Sequence, residues 1–283
     1  MNVEKYMTKE VVATSSGETI SCVRNLMLKK DISRVLIIED GPIGIVTKKD
    51  ISWRLASESA PWRRRPIDSI SIKRIMTTGL ITISLGASIE EAAKLMIDNE
   101  ISSLPVLEAG SLVGIITKTD LLKAFAENYP DKFKTRELMS KQVVTANRHH
   151  TLTHLIDLMM EKGAGRVVIV EGTKPVGIVT PSDMSFAELA DPKRGMRRKE
   201  VLYVRKPTRG DRPSYRHIKT FLVTAEDLMT AELITVESGT DAAKTASIIL
   251  KKGISSLPVV EDESLAGIIT KTDLVKGMAK ERR

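Results

Sequence analysis

The chain has 283 residues, 42% of them apolar, enough for about two ordinary domains with real cores. No apolar run approaches the ~18 residues needed to span a bilayer, and the opening MNVEKYMTKE is charged where a signal peptide is apolar, which predicts a soluble, cytoplasmic protein. The net charge of +8 is concentrated: between Lys193 and Lys219 eleven Lys or Arg face only Glu200 and Asp211, so the remainder is nearly neutral.

In chain order, the pattern starts with Met7-Thr8 and a β-rich Val11-Val12, then a helix with Ile20, Val23 and Met27 on one face. Cys22 lies in that helical pattern and reads as a small buried residue; as the only cysteine it excludes an intrachain disulfide and a cysteine-rich metal site. Two apolar runs follow, Val35 to Ile38 and the run ending at Thr47, an antiparallel hairpin by their short turn, and a second helix begins at Thr47. Residues 52–74 then carry Trp53, Trp62 and Arg63-Arg64-Arg65.

The same order recurs three times. Leu80-Ile81, a helix with Ile89, Ala92, Ala93 and Met96, the run Leu104 to Leu107 and a helix at Thr117 form a second copy. After the short Pro130 connection come Val143-Val144, a helix with Leu152, Leu155, Ile156 and Met159, the run Val167 to Val170 and a helix at Thr180. His149, His150 and His154 at the start of that third copy have no metal-ligand spacing and read as a solvated helix start. Residues 191–223 hold the basic stretch, and the last copy has Leu233-Ile234, Ala242, Ala246, Ile249, Leu257 to Val260 and a helix at Thr270.

The second and fourth copies, ISSLPVLEAGSLVGIITKTD and ISSLPVVEDESLAGIITKTD, overlay without a gap from Met76/Met229 to Asp120/Asp273. The unit is β-α-β-β-α, an α/β (α+β) arrangement whose sheet one copy cannot bury alone. Four times a Thr stands three residues before an Asp at a helix start: Thr47/Asp50, Thr117/Asp120, Thr180/Asp183 and Thr270/Asp273. Capping alone accounts for that pair, since Thr as N-cap and Asp in the first turn satisfy orphan amides and complement the helix dipole.

Met-Thr, the Ile-Thr strand, Gly-Ile-Ser-Ser-Leu-Pro-Val-Val and Gly-Ile-Ile-Thr-Lys-Thr-Asp-Leu, in that order, resemble the CBS domain, named after cystathionine beta-synthase. The resemblance is tight in copies two and four and looser in one and three, where Leu36 and Val168 replace Pro105 and Pro258. It implies two Bateman modules, residues 1–127 and 128–283, stacked as a disc, each with ligand clefts for AMP, ADP, ATP or another adenosyl compound as regulatory ligand. The Thr and Asp of each pair are then cleft residues, the Asp accepting from ribose hydroxyls and the Thr with nearby amides meeting phosphate at a helix start. Thr82, Thr145 and Thr235 match a cleft-lining strand position, where copy one has Ala13. Arg34 and Arg166 stand before the first hairpin strand, within reach of phosphate or on a solvated rim; copies two and four have Ser103 and Ser256 there.

No nucleophile elbow, Walker loop or metal constellation accompanies these motifs, so the expectation is a regulatory protein and not an enzyme. The rival reading is RNA or DNA binding through Arg197, Arg198, Lys199, Tyr203, Arg205, Lys206, Arg209, Arg212, Tyr215 and Arg216, where cations interleave with tyrosines suited to base stacking. The bland reading of the same run is a solvated hairpin. A homodimer is compatible with either.

Overall fold

The computed structural model describes residues 1–51, 70–181, 183, 201–203, 216–218 and 224–280. The first repeat comprises α1 (Val3–Tyr6), β1 (Ala13–Thr14), α2 (Ile20–Lys29), β2 (Arg34–Ile38) and β3 (Pro42–Thr47), after which a helix is described as far as Ile51. The second has a 3-10 turn (Ile72–Arg74), β4 (Thr77–Thr78), β5 (Ile83–Ser84), α3 (Ile89–Asp98), β6 (Ser103–Glu108), β7 (Ser111–Thr117) and α4 (Lys118–Asn128). The third has α5 (Thr135–Leu138), β8 (Thr145–Ala146), α6 (Leu152–Glu161), β9 (Val167–Glu171) and β10 (Lys174–Val179). A short antiparallel pair follows, β11 (Val201–Tyr203) and β12 (Arg216–Ile218). The fourth repeat has α7 (Ala225–Leu228), β13 (Val236–Glu237), α8 (Ala242–Lys251), β14 (Ser256–Glu261), β15 (Ser264–Thr270) and α9 (Lys271–Lys280).

The architecture is the mixed α/β one expected, with a small sheet per repeat: β1-β2-β3-β4, β5-β6-β7, β10-β9-β8 and β13-β14-β15. In each the short first strand runs parallel to the next, with Ala13 opposite Leu36, Ile83 opposite Val106, Thr145 opposite Val168 and Val236 opposite Val259. These strands start two or three residues later than the β-rich dipeptides suggested. Val12 and Val144 lie just before these strands and accept from the Leu36 and Val168 amides, so β-branched side chains mark the approach and the parallel neighbour defines the ladder.

The ten-residue helix of each repeat, α2, α3, α6 or α8, begins at a side-chain cap: Thr19 accepts from the Cys22 amide, Ser88 from Glu91, Thr151 from His154 and Asp241 from Lys244. Of the predicted faces, Ile20, Val23, Met27, Ile89, Ala92, Ala93, Met96, Leu155, Met159, Ala242, Ala246 and Ile249 are buried, whereas Leu152 and Ile156 of the third copy are only partly so. Cys22 is a correction: it is exposed, because at 100° per residue it projects well away from Ile20, two positions earlier on the apolar face.

Contacts divide the chain into two compact units. One holds Met1–Val143, Thr173–Pro175 and Ile234–Arg283; the other holds Val144–Gly172 and Val176–Leu233. In the first, α3, α4, α8 and α9 supply most of one continuous core that includes Met96, Leu121, Leu122, Phe125, Ile249, Leu274, Val275 and Met278.

Each repeat's opening segment is given to another repeat. In the first unit Asn2 bridges Ser88, Thr8 bridges Ile115, Ser71 bridges Thr19, Lys134 bridges Asp241 and Ser140 bridges Ile268. β4 of repeat two extends the sheet of repeat one by pairing with β3. In the second unit Thr151 bridges Thr224 and Ile178 bridges Thr230. The methionine of every Met-Thr or Met-Ser step packs on a strand glycine of the other repeat: Met7 on Gly114, Met76 on Gly44, Met139 on Gly267 and Met229 on Gly177. Repeat one is thus laced to repeat two, and repeat three to repeat four, each by two reciprocal crossings.

Candidate functional site

At each helix start the Thr and Asp close on one another. The Thr47 amide and hydroxyl donate to Asp50 Oδ2 at 2.8 and 2.7 Å, and Thr47 Oγ1 accepts from the Asp50 amide at 3.2 Å. Thr117 donates likewise to Asp120 Oδ2 at 3.0 and 2.7 Å, Thr180 to Asp183 at 2.7 and 2.7 Å, and Thr270 to Asp273 at 2.9 and 2.7 Å. Geometry this uniform in four places follows from local chemistry, a capping box with an added hydroxyl-to-carboxylate bond. One carboxylate oxygen, Oδ2, is committed to the cap, and Oδ1 takes no part in it. Lys123 reaches Asp120 Oδ1 at 3.2 Å and the Ser140 hydroxyl reaches Asp273 Oδ1 at 3.4 Å.

The four carboxylates differ in setting. Asp120 and Asp273 are buried, at 4% and 6% exposure, whereas Asp50 and Asp183 are partly exposed. Burial pushes the Asp183 carboxyl above its ordinary range, against the pull of its bonds from Thr180. Asp50→Ala, which removes the carboxylate half of a partly exposed box and leaves Thr47 as the N-cap, is expected to lower stability by about 1 kcal/mol in urea denaturation. A loss below about 0.3 kcal/mol would mean that the carboxylate adds nothing to the Thr47 cap.

Arg34, first residue of β2, bridges its own repeat and the next. Its Nη1 donates to the Ser102 carbonyl of repeat two at 2.6 Å and Nη2 to the Ser33 hydroxyl at 3.3 Å. Burial lowers its pKa and the neighbouring Asp120 carboxylate opposes that. A guanidinium from repeat one is thus anchored at the helix start of repeat two, on the carbonyl that also accepts from the Lys118 amide, where the Asp120 carboxylate acts on it by charge. Arg166, in the corresponding place, is partly buried and engaged with its surroundings. Thr145 opens β8 and is exposed, Thr82 lies one residue before β5, and Thr235 lies one residue before β13 and is exposed.

The lysine inside each Thr-Lys-Thr-Asp was missed by sequence reasoning. Lys118 Nζ donates to Thr272 Oγ1 at 3.1 Å and Lys271 Nζ to Thr119 Oγ1 at 3.0 Å, so the two motifs hold each other reciprocally. Their identity in both repeats was the available signal. Burial first, then Lys276, Arg34 and Lys49, depress the Lys118 pKa to about 8, with Asp273 opposing.

Of the basic and aromatic residues proposed for nucleic acid, Arg197, Arg198, Lys199, Arg205, Lys206, Arg209, Arg212 and Tyr215 lie outside the described residues, as do Trp53, Trp62 and Arg63 to Arg65. Tyr203 and Arg216 are paired positions of β11 and β12. Among the described residues no helix is long and apolar enough to cross a membrane, and no three His, Cys, Asp or Glu gather as a metal site.

Similarity to known proteins follows the same fourfold division. The family model for the CBS domain matches residues 3–57, 72–127, 136–189 and 225–280. Protein MJ1225 of Methanocaldococcus jannaschii is 23% identical over 284 residues, covering 96% of each chain, and its crystal structure, described as a proposed archaeal homolog of g-AMPK, aligns with a TM-score of 0.79 over 99% of this chain and 100% of that one. YhcV of Bacillus subtilis, a CBS domain-containing protein, is 32% identical over 44% of this chain and 90% of its own length. L-aspartate semialdehyde sulfurtransferase of M. jannaschii is 38% identical over 65% of this chain, but the match spans 34% of that enzyme. With one Thr–Asp box in each matched segment, this chain belongs to the CBS-domain family and carries four CBS domains in tandem.

Proposed function

We propose that the chain is a regulatory sensor that takes an adenosyl compound where repeats one and two meet, with Asp120 as the ribose acceptor and Arg34 and Thr117 beside the phosphate. One observation carries this reading: the guanidinium of repeat one bonds to the Ser102 carbonyl at the helix start of repeat two, where the buried Asp120 carboxylate, its Oδ2 fixed by its own threonine, acts on it by charge. Preorganised in that way, Oδ1 accepts from vicinal hydroxyls without losing the cap, once Lys123 swings aside. The likeness to MJ1225 along the whole chain, and that protein's description, support a regulatory role of this kind.

Thermal shift and calorimetric titration with AMP, ADP, ATP, S-adenosylmethionine and 5′-methylthioadenosine test it. A ligand bound only by the folded state raises the melting temperature, by about 2.7 kcal/mol of stabilisation at a hundred times Kd. Asp120→Asn keeps an acceptor for the cap but removes the charge, and is expected to weaken binding by about 1.5–3 kcal/mol while costing less than that in stability. If all five compounds leave melting unchanged at millimolar concentration, the reading fails.

A further inference from the structure

The three histidines at the start of repeat three take no part in the Thr–Asp boxes, and the fold tells them apart. His149 and His154 are exposed, as a solvated helix start requires, but His150 is half-buried and bonded. The Asn147 amide donates to His150 Nδ1 at 3.2 Å, which sets the ring as the neutral tautomer with its proton on Nε2. Asn147 Oδ1 accepts from the His149 amide at 3.0 Å, so the same side chain turns its Nδ2, a second donor, toward His150 Nε2 at 3.5 Å. Both ring nitrogens therefore face N–H groups. The His154 ring lies against this imidazole, with centroids 4.3 Å apart.

The backbone that carries both rings is pinned. The His150 amide donates to the Asn147 carbonyl at 3.2 Å, and the His154 amide to Thr151 Oγ1, the cap of α6, at 3.3 Å. Repeat four is held at the same turn, since the Ala225 amide donates to the His150 carbonyl at 2.8 Å and the Glu226 amide to the Arg148 carbonyl at 3.0 Å, beside the bridge between Thr151 and Thr224. The charged groups set about the turn are already engaged. Arg148, on the turn itself, bonds to Glu171 at the end of β9 and to Glu226 of α7, and Asp227 of α7 has Oδ2 tied to the Thr224 amide and hydroxyl. On α6 the exposed Asp157 follows His154 by three residues, a spacing that serves a charge on His154 and not one on His150.

We infer that this turn is a proton-sensitive catch between repeats three and four, closed while His150 is neutral and released when it gains a proton. Protonation turns Nδ1 from acceptor to donor, so the Asn147 amide loses its partner and two N–H groups meet head on, with the new charge next to Arg148 in the chain and against the His154 ring. That conflict is relieved when the turn opens, and opening lets go of Ala225 and Glu226. The effect reaches the third Thr–Asp box, because Met229, just beyond α7, packs on Gly177 and Thr230 bridges Ile178, two residues before the Thr180 cap.

Proton counting gives the sign. The closed turn holds His150 neutral, whereas in the open turn the ring takes a proton between about pH 5 and 8 like any histidine, so the open form binds more protons and gains on the closed one as pH falls. One proton changes the closed-to-open ratio by at most about tenfold per pH unit. The catch needs no ligand, and it stands apart from the adenosyl reading, which concerns repeats one and two.

Nuclear magnetic resonance of the full chain, labelled at histidine, alanine and glutamate and titrated from about pH 8 to 5 without ligand, tests the inference. The Ala225 and Glu226 amide signals are expected to move together with the His150 ring signals, with a shared midpoint between about pH 5 and 7 and about a tenfold fall in the closed-to-open ratio from about pH 7.5 to 5.5. In His150→Gln, whose side-chain oxygen still accepts from Asn147 but takes no proton, the two amides should hold their positions throughout the range. His149→Gln should leave the wild-type transition intact. A His150 ring that titrates without any response at Ala225 and Glu226, a His150 ring that gains no proton down to about pH 5, or a transition unchanged in His150→Gln would overturn the inference. The wild-type titration decides the first two, so misfolding of a variant cannot shelter the idea.

Discussion

Phe125→Ala is expected to destabilise the chain by about 3–5 kcal/mol, the cost of removing a fully buried aromatic ring and leaving a cavity. The ring of Phe125 stacks on Tyr129 with centroids 5.0 Å apart and lies 6.3 Å from Phe133. Across the helices it faces Gly277 of α9, where an added Cβ would stand 3.4 Å from Phe125 Cε2 and 3.0 Å from Leu138 Cδ1. Glycine inside a helix costs about 1 kcal/mol in propensity, and here it leaves room for the ring and the leucine. The equivalent of Phe125 in repeat four is Met278, also fully buried, and Met278→Leu, a volume-conserving change, should cost less than about 1.5 kcal/mol. Urea unfolding measures both. Because the total stability of a domain is only about 5–15 kcal/mol, the alanine variant should lose much of its midpoint; a loss under 1 kcal/mol would mean that this helix junction is not a single packed core.

Much of that core was legible from spacing alone. Ile89, Ala92, Ala93 and Met96, or Ala242, Ala246 and Ile249, repeat at helical intervals because each helix shows one face to the sheet and to its neighbours. The Thr–Asp boxes were legible for the same reason, since capping is settled within four residues. What the pattern could not show is long-range. Met7 and Met76 sit before their own strands in sequence, but they pack on Gly114 and Gly44 of another repeat. Arg34 read equally well as a rim charge or a phosphate ligand, and only the fold brings it to Ser102 and Asp120. Lys118 and Lys271 drew no reading from the sequence, because only the fold places the two helix starts against each other.

Gly114→Val is expected to cost about 1–3 kcal/mol by overpacking, because the place of its side chain is already filled from the other repeat. A Cβ there would lie 2.7 Å from Met7 Sδ and 2.9 Å from the Thr8 carbonyl oxygen, closer than side-chain carbons approach. Thr8 cannot retreat freely, since its amide and carbonyl both bond to Ile115 at 2.9 Å. Gly267 is equally tight, 2.6 Å from Met139 Sδ and 2.9 Å from the Ser140 oxygen, whereas Gly44 has 3.2 Å to Met76 Sδ and 3.0 Å to the Thr77 oxygen. Alanine at Gly44 should therefore be the mildest of the three. Combining Gly114→Val with Met7→Ala removes the sulfur but not the carbonyl, so the double variant should recover part of the loss, with a coupling of about 0.5 kcal/mol or more. The strain also runs toward the site: β7 continues from Gly114 through Ile115 to Thr117, the cap beside Asp120. Weaker ligand binding should therefore accompany the stability loss in Gly114→Val and be partly restored by Met7→Ala. Strictly additive stabilities in the double-mutant cycle would show that methionine and glycine do not meet, and with that the reciprocal lacing of repeats one and two would fail.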